Sequence, residues 1–179
     1  PNFSRASSWP EGDVVRIATD ASSDTVFKGS MCFVAGNGDY RLRTRETKAS
    51  TDELELEALT LALKYLLKVG ARKAVIESDS VAALEAVEQI VHKRGSKASR
   101  PGRTWRGVSS GARSRFQQAW GDIQGQCEVD IRRVLGHAGD PLNRAADQIA
   151  YMGLRAIAHP MKQSRETLRE GIQKALSAL

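Results

Sequence analysis

The sequence predicts an α/β domain: a five-stranded mixed sheet with helices on both faces. Two observations lead there. Two strand-like runs flank Gly36-Asn37-Gly38, whose glycines supply the φ > 0 conformations of a hairpin turn, so the chain opens on antiparallel strands. Further on, the run at 72–78 passes directly into a helical pattern with no hairpin signal, which calls for a crossover and a parallel neighbour. A length of 179 residues suits one such domain, and 41% hydrophobic against 27% charged residues suits a globular chain with a sizeable core.

The elements follow in order. Residues 1–12 hold turn formers without periodicity and are expected to be a flexible lead-in to a domain spanning 13–158. Asp13 to Thr19 is short, β-branched and mostly apolar, consistent with a buried strand ending at Asp20. Residues 26–35 and 39–47 make two more strands. The second of these alternates Arg41, Arg43 and Arg45 with Tyr40, Leu42 and Thr44, which implies one solvated face.

A helix opens at Thr51-Asp52-Glu53, with Thr51 or Asp52 as the expected cap and acids in the first turn, where the dipole favours them. Leu54, Ala58, Leu59, Ala62, Tyr65, Leu66 and Val69 form its apolar stripe, and Gly70 closes it. The fourth strand, 72–78, ends at Asp79, and Val81, Leu84, Val87, Ile90 and Val91 mark the next helix. Residues 93–108 are too polar to pack as core and are expected to form a surface loop. Helical character returns at 109–125, a fifth strand follows at 127–135, and Asn143 to Ile157 is helical after a loop. Residues 159–179, set off by Pro160, are expected to form a last amphipathic helix carrying Leu168, Ile172, Ala175, Leu176 and Leu179.

The charge is unevenly spread. The chain holds 27 basic and 21 acidic residues, a formal net charge of +6. Eight of the basic residues, Lys93, Arg94, Lys97, Arg100, Arg103, Arg106, Arg113 and Arg115, fall in one stretch without an acid. The remainder, with 19 basic and 21 acidic residues, is close to neutral. A basic insert on a neutral body suits a polyanionic partner, and Trp105 and Trp120 nearby offer aromatic surfaces for sugar or base contact. Two distant cysteines, Cys32 and Cys127, exclude a disulfide framework and a four-cysteine zinc site, and a reducing cytoplasmic setting is the default expectation. No apolar stretch approaches the roughly 20 residues that cross a bilayer, so no membrane association is expected.

Acidic residues at the ends of buried strands are the informative feature. If the first and fourth strands are neighbours, Asp20 and Asp79 emerge side by side. Like charges so placed either retain a proton or bind a cation, and oxygen ligands favour hard ions such as Mg²⁺. Glu55 lies at the edge of the first helix's buried face, one turn before Leu59, whereas Glu57 lies further round. Asp147 sits in a helix behind Ala145 and Ala146, small residues that allow close approach to a sheet. Taken singly, each acid is as well explained by helix capping or solvation.

Four stretches taken together are specific. I-A-T-D-A-S (17–22), E-L-E-A-L-T-L-A-L (55–63), I-E-S-D-S (76–80) and V-L-G-H-A-G-D-P-L-N-R-A-A-D-Q-I-A (134–150) fall in order on the elements just assigned. With them the chain resembles the type 1 ribonuclease H family from about Val14 to Arg155, and the resemblance implies a ribonuclease H-like fold. It also implies that Asp20, Glu55, Asp79 and Asp147 are metal-binding carboxylates and that His137 is a mobile catalytic histidine. Ser50 and Asn143 match positions that contact the DNA strand, and the 93–108 loop, with Lys93, Arg94, Lys97, Arg100, Arg103, Trp105 and Arg106, matches a basic protrusion that grips the duplex. Ala21, Asp52, Val81 and Arg144 depart from the family's usual pattern.

The activity implied is endonucleolytic hydrolysis of the RNA strand of an RNA–DNA hybrid. It would use two Mg²⁺ ions, with Mn²⁺ as a substitute, leave 5′-phosphate and 3′-hydroxyl ends, and be carried out by a monomer. Two other readings remain at this stage. One is a DNA-directed nuclease of the same fold, and the other is a hybrid-binding module without catalysis.

Overall fold

A computed structural model of the chain describes residues 9, 12–24, 27–46, 48–92, 108–135, 139–160 and 164–179. Strand β1 (Val14–Ser23) carries core residues on both sides, because helices cover both faces of the sheet. It pairs antiparallel with β2 (Gly29–Ala35), which pairs antiparallel with β3 (Tyr40–Arg45). On its other edge β1 runs parallel to β4 (Lys73–Ser78), and β4 runs parallel to β5 (Glu128–Arg133). The order is β3-β2-β1-β4-β5, the five-stranded mixed sheet expected.

Helix α1 (Thr51–Val69) makes the crossover from the antiparallel half to β4, followed by α2 (Val81–His92) and α3 (Ser110–Ile123). These pack on one face of the sheet, around Ile17, Phe33, Leu59, Ile76 and Phe116. Helix α4 (Pro141–Ala158) covers the other face, and α5 (Arg165–Leu176) packs on α4 through Ile172 and Ala175. No helix among the described residues is long and apolar enough to cross a membrane.

Several boundaries differ from the sequence expectation: the last helix, expected over 159–179, runs from Arg165 to Leu176, and three further differences bear on the site. Strand β1 does not end at Asp20 but continues to Ser23, since Asp20, Ala21, Ser22 and Ser23 keep their partners Cys32, Met31, Ser30 and Gly29 on β2. The second strand starts at Gly29 rather than residue 26, because the Asp24 carboxylate accepts from the Phe27 and Lys28 N–H groups and holds a turn there. Helix α1 is capped by Ser50, not by Thr51 or Asp52: its hydroxyl accepts from the Glu53 N–H at 3.1 Å. Gly70 closes that helix at φ +67°, as expected of a left-handed C-cap.

Candidate active site

Asp20 leaves β1 on the α4 face, four residues past Arg16 in strand alternation. Asp79 follows β4 immediately, and β1 and β4 are neighbours, so the two carboxylates emerge together as the strand order requires. Beyond Asp79, the Ser80 hydroxyl accepts from the Ala83 N–H and caps α2, which fixes the chain just past the acid. Glu55 reaches in from the first turns of α1. Ligand oxygens of Asp20, Glu55 and Asp79 lie within 4.8 Å of one another.

Glu55 is more deeply placed than its position at the edge of the apolar stripe suggested. It is 5% exposed, and its Oε1 accepts from the Ala21 N–H at 3.2 Å. Its Oε2 is buried with no hydrogen-bond partner among the described residues. A buried carboxylate oxygen without a partner is costly, so this one is an acceptor waiting for a cation or a proton. Burial and the neighbouring Asp20 and Asp79 charges push the Glu55 carboxyl well above the ordinary range, despite the Ala21 N–H. Burial, then Asp79, then Asp147, push Asp20 up to about 7. Asp147 is thus near enough to act on Asp20, from a partly buried position two turns into α4.

The α4 backbone is drawn close to the sheet by small residues. Cys32 Sγ donates to the Ala146 carbonyl at 3.2 Å, and the Ser30 hydroxyl donates to the Ala150 carbonyl. Crowded, partly desolvated carboxylates with an unpartnered oxygen make an all-oxygen donor set, which suits a hard divalent cation such as Mg²⁺ or Mn²⁺. The donor chemistry therefore fits the metal that the sequence led us to expect.

The remaining sequence candidates separate. The Ser50 hydroxyl serves as the α1 cap, and Asn143 is buried in the first turn of α4 with its N–H on Asp140. Trp120 stacks on Phe116 and belongs to the packing of α3. His137, Lys93, Arg94, Lys97, Arg100, Arg103, Trp105 and Arg106 lie outside the described residues.

Sequence reasoning missed Glu53. Periodicity suggested an ordinary first-turn acid, yet it is buried. Its Oε2 accepts from the Ser109 N–H at 2.9 Å, and its Oε1 takes Arg45 Nη1 at 2.7 Å. Burial acts to raise its carboxyl, but Ser109 and Arg45 outweigh that and hold it below the ordinary range. Arg45 also meets Glu57 at 3.4 Å, and Arg115 pairs with Glu57 as well. Glu57 is therefore engaged in ion pairs away from the acidic cluster, as its place further round the helix implied.

Comparison with known proteins agrees with this geometry. The RNase H family model matches residues 12–155. The chain belongs to the RNase H family. Among solved structures, the N-terminal RNase H domain of a Mycobacterium tuberculosis protein, determined as a fusion with maltose-binding protein, is similar with a TM-score of 0.58. That likeness covers 82% of this chain and 97% of the other at 18% identity, and it speaks to the fold. No curated protein matches the chain significantly. As an RNase H family member the chain falls, at the family level, in the class of nucleases that act on RNA–DNA hybrids, and the acidic cluster lies inside the matched span.

Proposed function

We propose that this RNase H chain is an endoribonuclease that hydrolyses the RNA strand of RNA–DNA hybrids and leaves 5′-phosphate and 3′-hydroxyl ends. The observation that carries the proposal is the gathering of Asp20, Glu55 and Asp79 within 4.8 Å, with one buried Glu55 oxygen left unpartnered. Asp20, Glu55, Asp79 and Asp147 would hold two Mg²⁺ ions. Bound there, such ions activate water for attack on a phosphodiester and stabilise the departing oxygen.

The chain's own residues supply positioning and proton control. Glu55 is held against the Ala21 N–H, so one of its oxygens has a fixed direction and the other is left without a hydrogen-bond partner among the described residues. The raised Asp20 and Glu55 carboxyls must give up protons before they can bind a cation, so metal loading and proton release are coupled. His137, which precedes α4 in the sequence, is assigned the role of moving a proton to or from the leaving group. Ser50 and Asn143 are assigned contacts to the DNA strand, and the cations between residues 93 and 108 contacts to the duplex backbone. Selection of a hybrid over a DNA duplex rests on groove shape and on the RNA 2′-hydroxyl.

The test is a panel of end-labelled RNA–DNA hybrid, RNA duplex and DNA duplex, incubated with Mg²⁺ and wild-type chain or Asp79→Asn. Cleavage confined to the RNA of the hybrid, reduced more than about a hundredfold by the substitution, is expected. Cleavage of the DNA duplex would redirect the proposal to a DNA nuclease. Hybrid binding without cleavage by the wild type would reduce it to a binding module.

A further inference from the structure

A second polar cluster lies on the acid-bearing face of the sheet, outside the carboxylate site. Arg16 precedes Asp20 by four residues on β1, and Glu77 precedes Asp79 by two at the end of β4, so alternation puts both on the side of the acids. Asp140 is the N-cap of α4, seven residues and about two turns before Asp147. Arg16 Nη2 donates to Glu77 Oε2 at 2.8 Å and Oε1 at 3.1 Å, and to Asp140 Oδ2 at 2.9 Å. The other Asp140 oxygen, Oδ1, accepts from the Leu142 and Asn143 N–H groups at 2.8 and 3.3 Å. One guanidinium thus joins the three elements that carry Asp20, Asp79 and Asp147.

The sign of the two clusters is opposite. The acids of β4 and α4, Asp79 and Asp147, repel that of β1 as like charges, the Asp20 and Asp79 oxygens lying within 4.8 Å of one another. About 13 Å along the strand, Arg16 draws the same two elements toward β1 through one carboxylate from each. We infer that Arg16, acting through Glu77 and Asp140, is a positioning residue that keeps Asp20, Asp79 and Asp147 gathered before a divalent cation arrives. The inference rests on the proposed role of those carboxylates in holding the cation. Arg16 and Asp140 are 49% and 34% exposed, so the clamp adds little to global stability and its effect falls on the affinity of the site.

The test is calorimetric titration of Mg²⁺ into the full chain, at a temperature where circular dichroism shows every variant folded. Arg16→Met keeps the aliphatic stem, and Asp140→Asn keeps the oxygen that caps α4. Each is expected to weaken Mg²⁺ binding by about threefold to tenfold. The double variant should be no weaker than either single one. Arg16→Lys should restore most of the affinity, because all three contacts come from one nitrogen, which an ammonium can replace. Unchanged Mg²⁺ affinity in Arg16→Met and Asp140→Asn, or losses that add in the double variant, would overturn the inference. So would an absence of Mg²⁺ binding by the wild type. Hybrid cleavage on the same samples separates the two ideas: the expected Mg²⁺ shifts with no cleavage by the wild type support the clamp and contradict the nuclease.

Discussion

The Glu55 and Asp20 carboxyls set what the site does without metal. The native state holds a proton on Asp20 that the unfolded chain, with a value near 3.8, has already lost, since the folded value is about 7. The stability this gives is whole below the unfolded value and is lost as pH rises through the folded one. Thermal unfolding in EDTA should therefore show a Tm that falls by roughly 5–10 °C between about pH 5 and pH 8. Asp20→Asn should flatten most of that fall, and a wild-type Tm that rises over this range would contradict the assigned protonation. Mg²⁺ should reverse the trend, because binding favours the ionised carboxylates. At this scale the sequence was partly legible. Asp79 is recognisable as an acid just past a strand, Asp20 as one carried by a strand that in fact runs on to Ser23, and Glu55 as an acid beside a buried stripe. Glu53 was not, because its burial depends on Ser109 and Arg45, residues 56 and 8 positions away whose approach is set by tertiary packing.

At the scale of elements, the site depends on how closely α4 lies on the sheet. Cys32 and Ser30 on β2 donate to carbonyls one turn apart on α4, and Gly153 leaves room for the contact two turns beyond Ala146. A Cβ at Gly153 would sit 2.6 Å from Leu42 Cδ1 and 3.1 Å from Ser30 Cβ. Gly153→Val should cost about 1–3 kcal/mol in urea denaturation and weaken Mg²⁺ binding, as α4 moves outward with Asp147. An unchanged midpoint would show that the helix can shift freely. Five strands and five helices were legible from periodicity, caps and turn residues, and their boundaries were less so. The extension of β1 past Asp20 could not be seen because Ser22 and Ser23 resemble turn formers, and only pairing with Ser30 and Gly29 makes them strand. The clamp of Arg16, Glu77 and Asp140 was equally invisible, since its members are 61 and 124 positions apart in the chain.

For the whole molecule, charge and packing are divided between regions. The acids gather at the C-terminal end of β1, while the net positive charge comes from the stretch between residues 93 and 115. Replacing Arg100, Arg103 and Arg106 by alanine should weaken hybrid binding and flatten its dependence on log salt by roughly two to three units. An unchanged slope would remove that loop from the interface. Helix α5 extends the fold beyond the family-matched span, and it covers α4 through Ile172 and Ala175. Ile172→Ala should cost about 2–4 kcal/mol of stability, read from the urea midpoint. The amphipathic pattern made that helix legible, but not which surface it would cover.

We propose that Asp20, Glu55, Asp79 and Asp147 form one divalent-cation site that cleaves hybrid RNA. The most direct test is the initial rate of RNA-strand cleavage in a labelled hybrid, measured against Mg²⁺ concentration for wild type and Glu55→Gln. Cleavage should be absent in EDTA, rise saturably with Mg²⁺ for the wild type, and be more than about a hundredfold slower at saturating Mg²⁺ for the variant. Cleavage that persists in EDTA, or that Glu55→Gln leaves intact, would contradict the proposal.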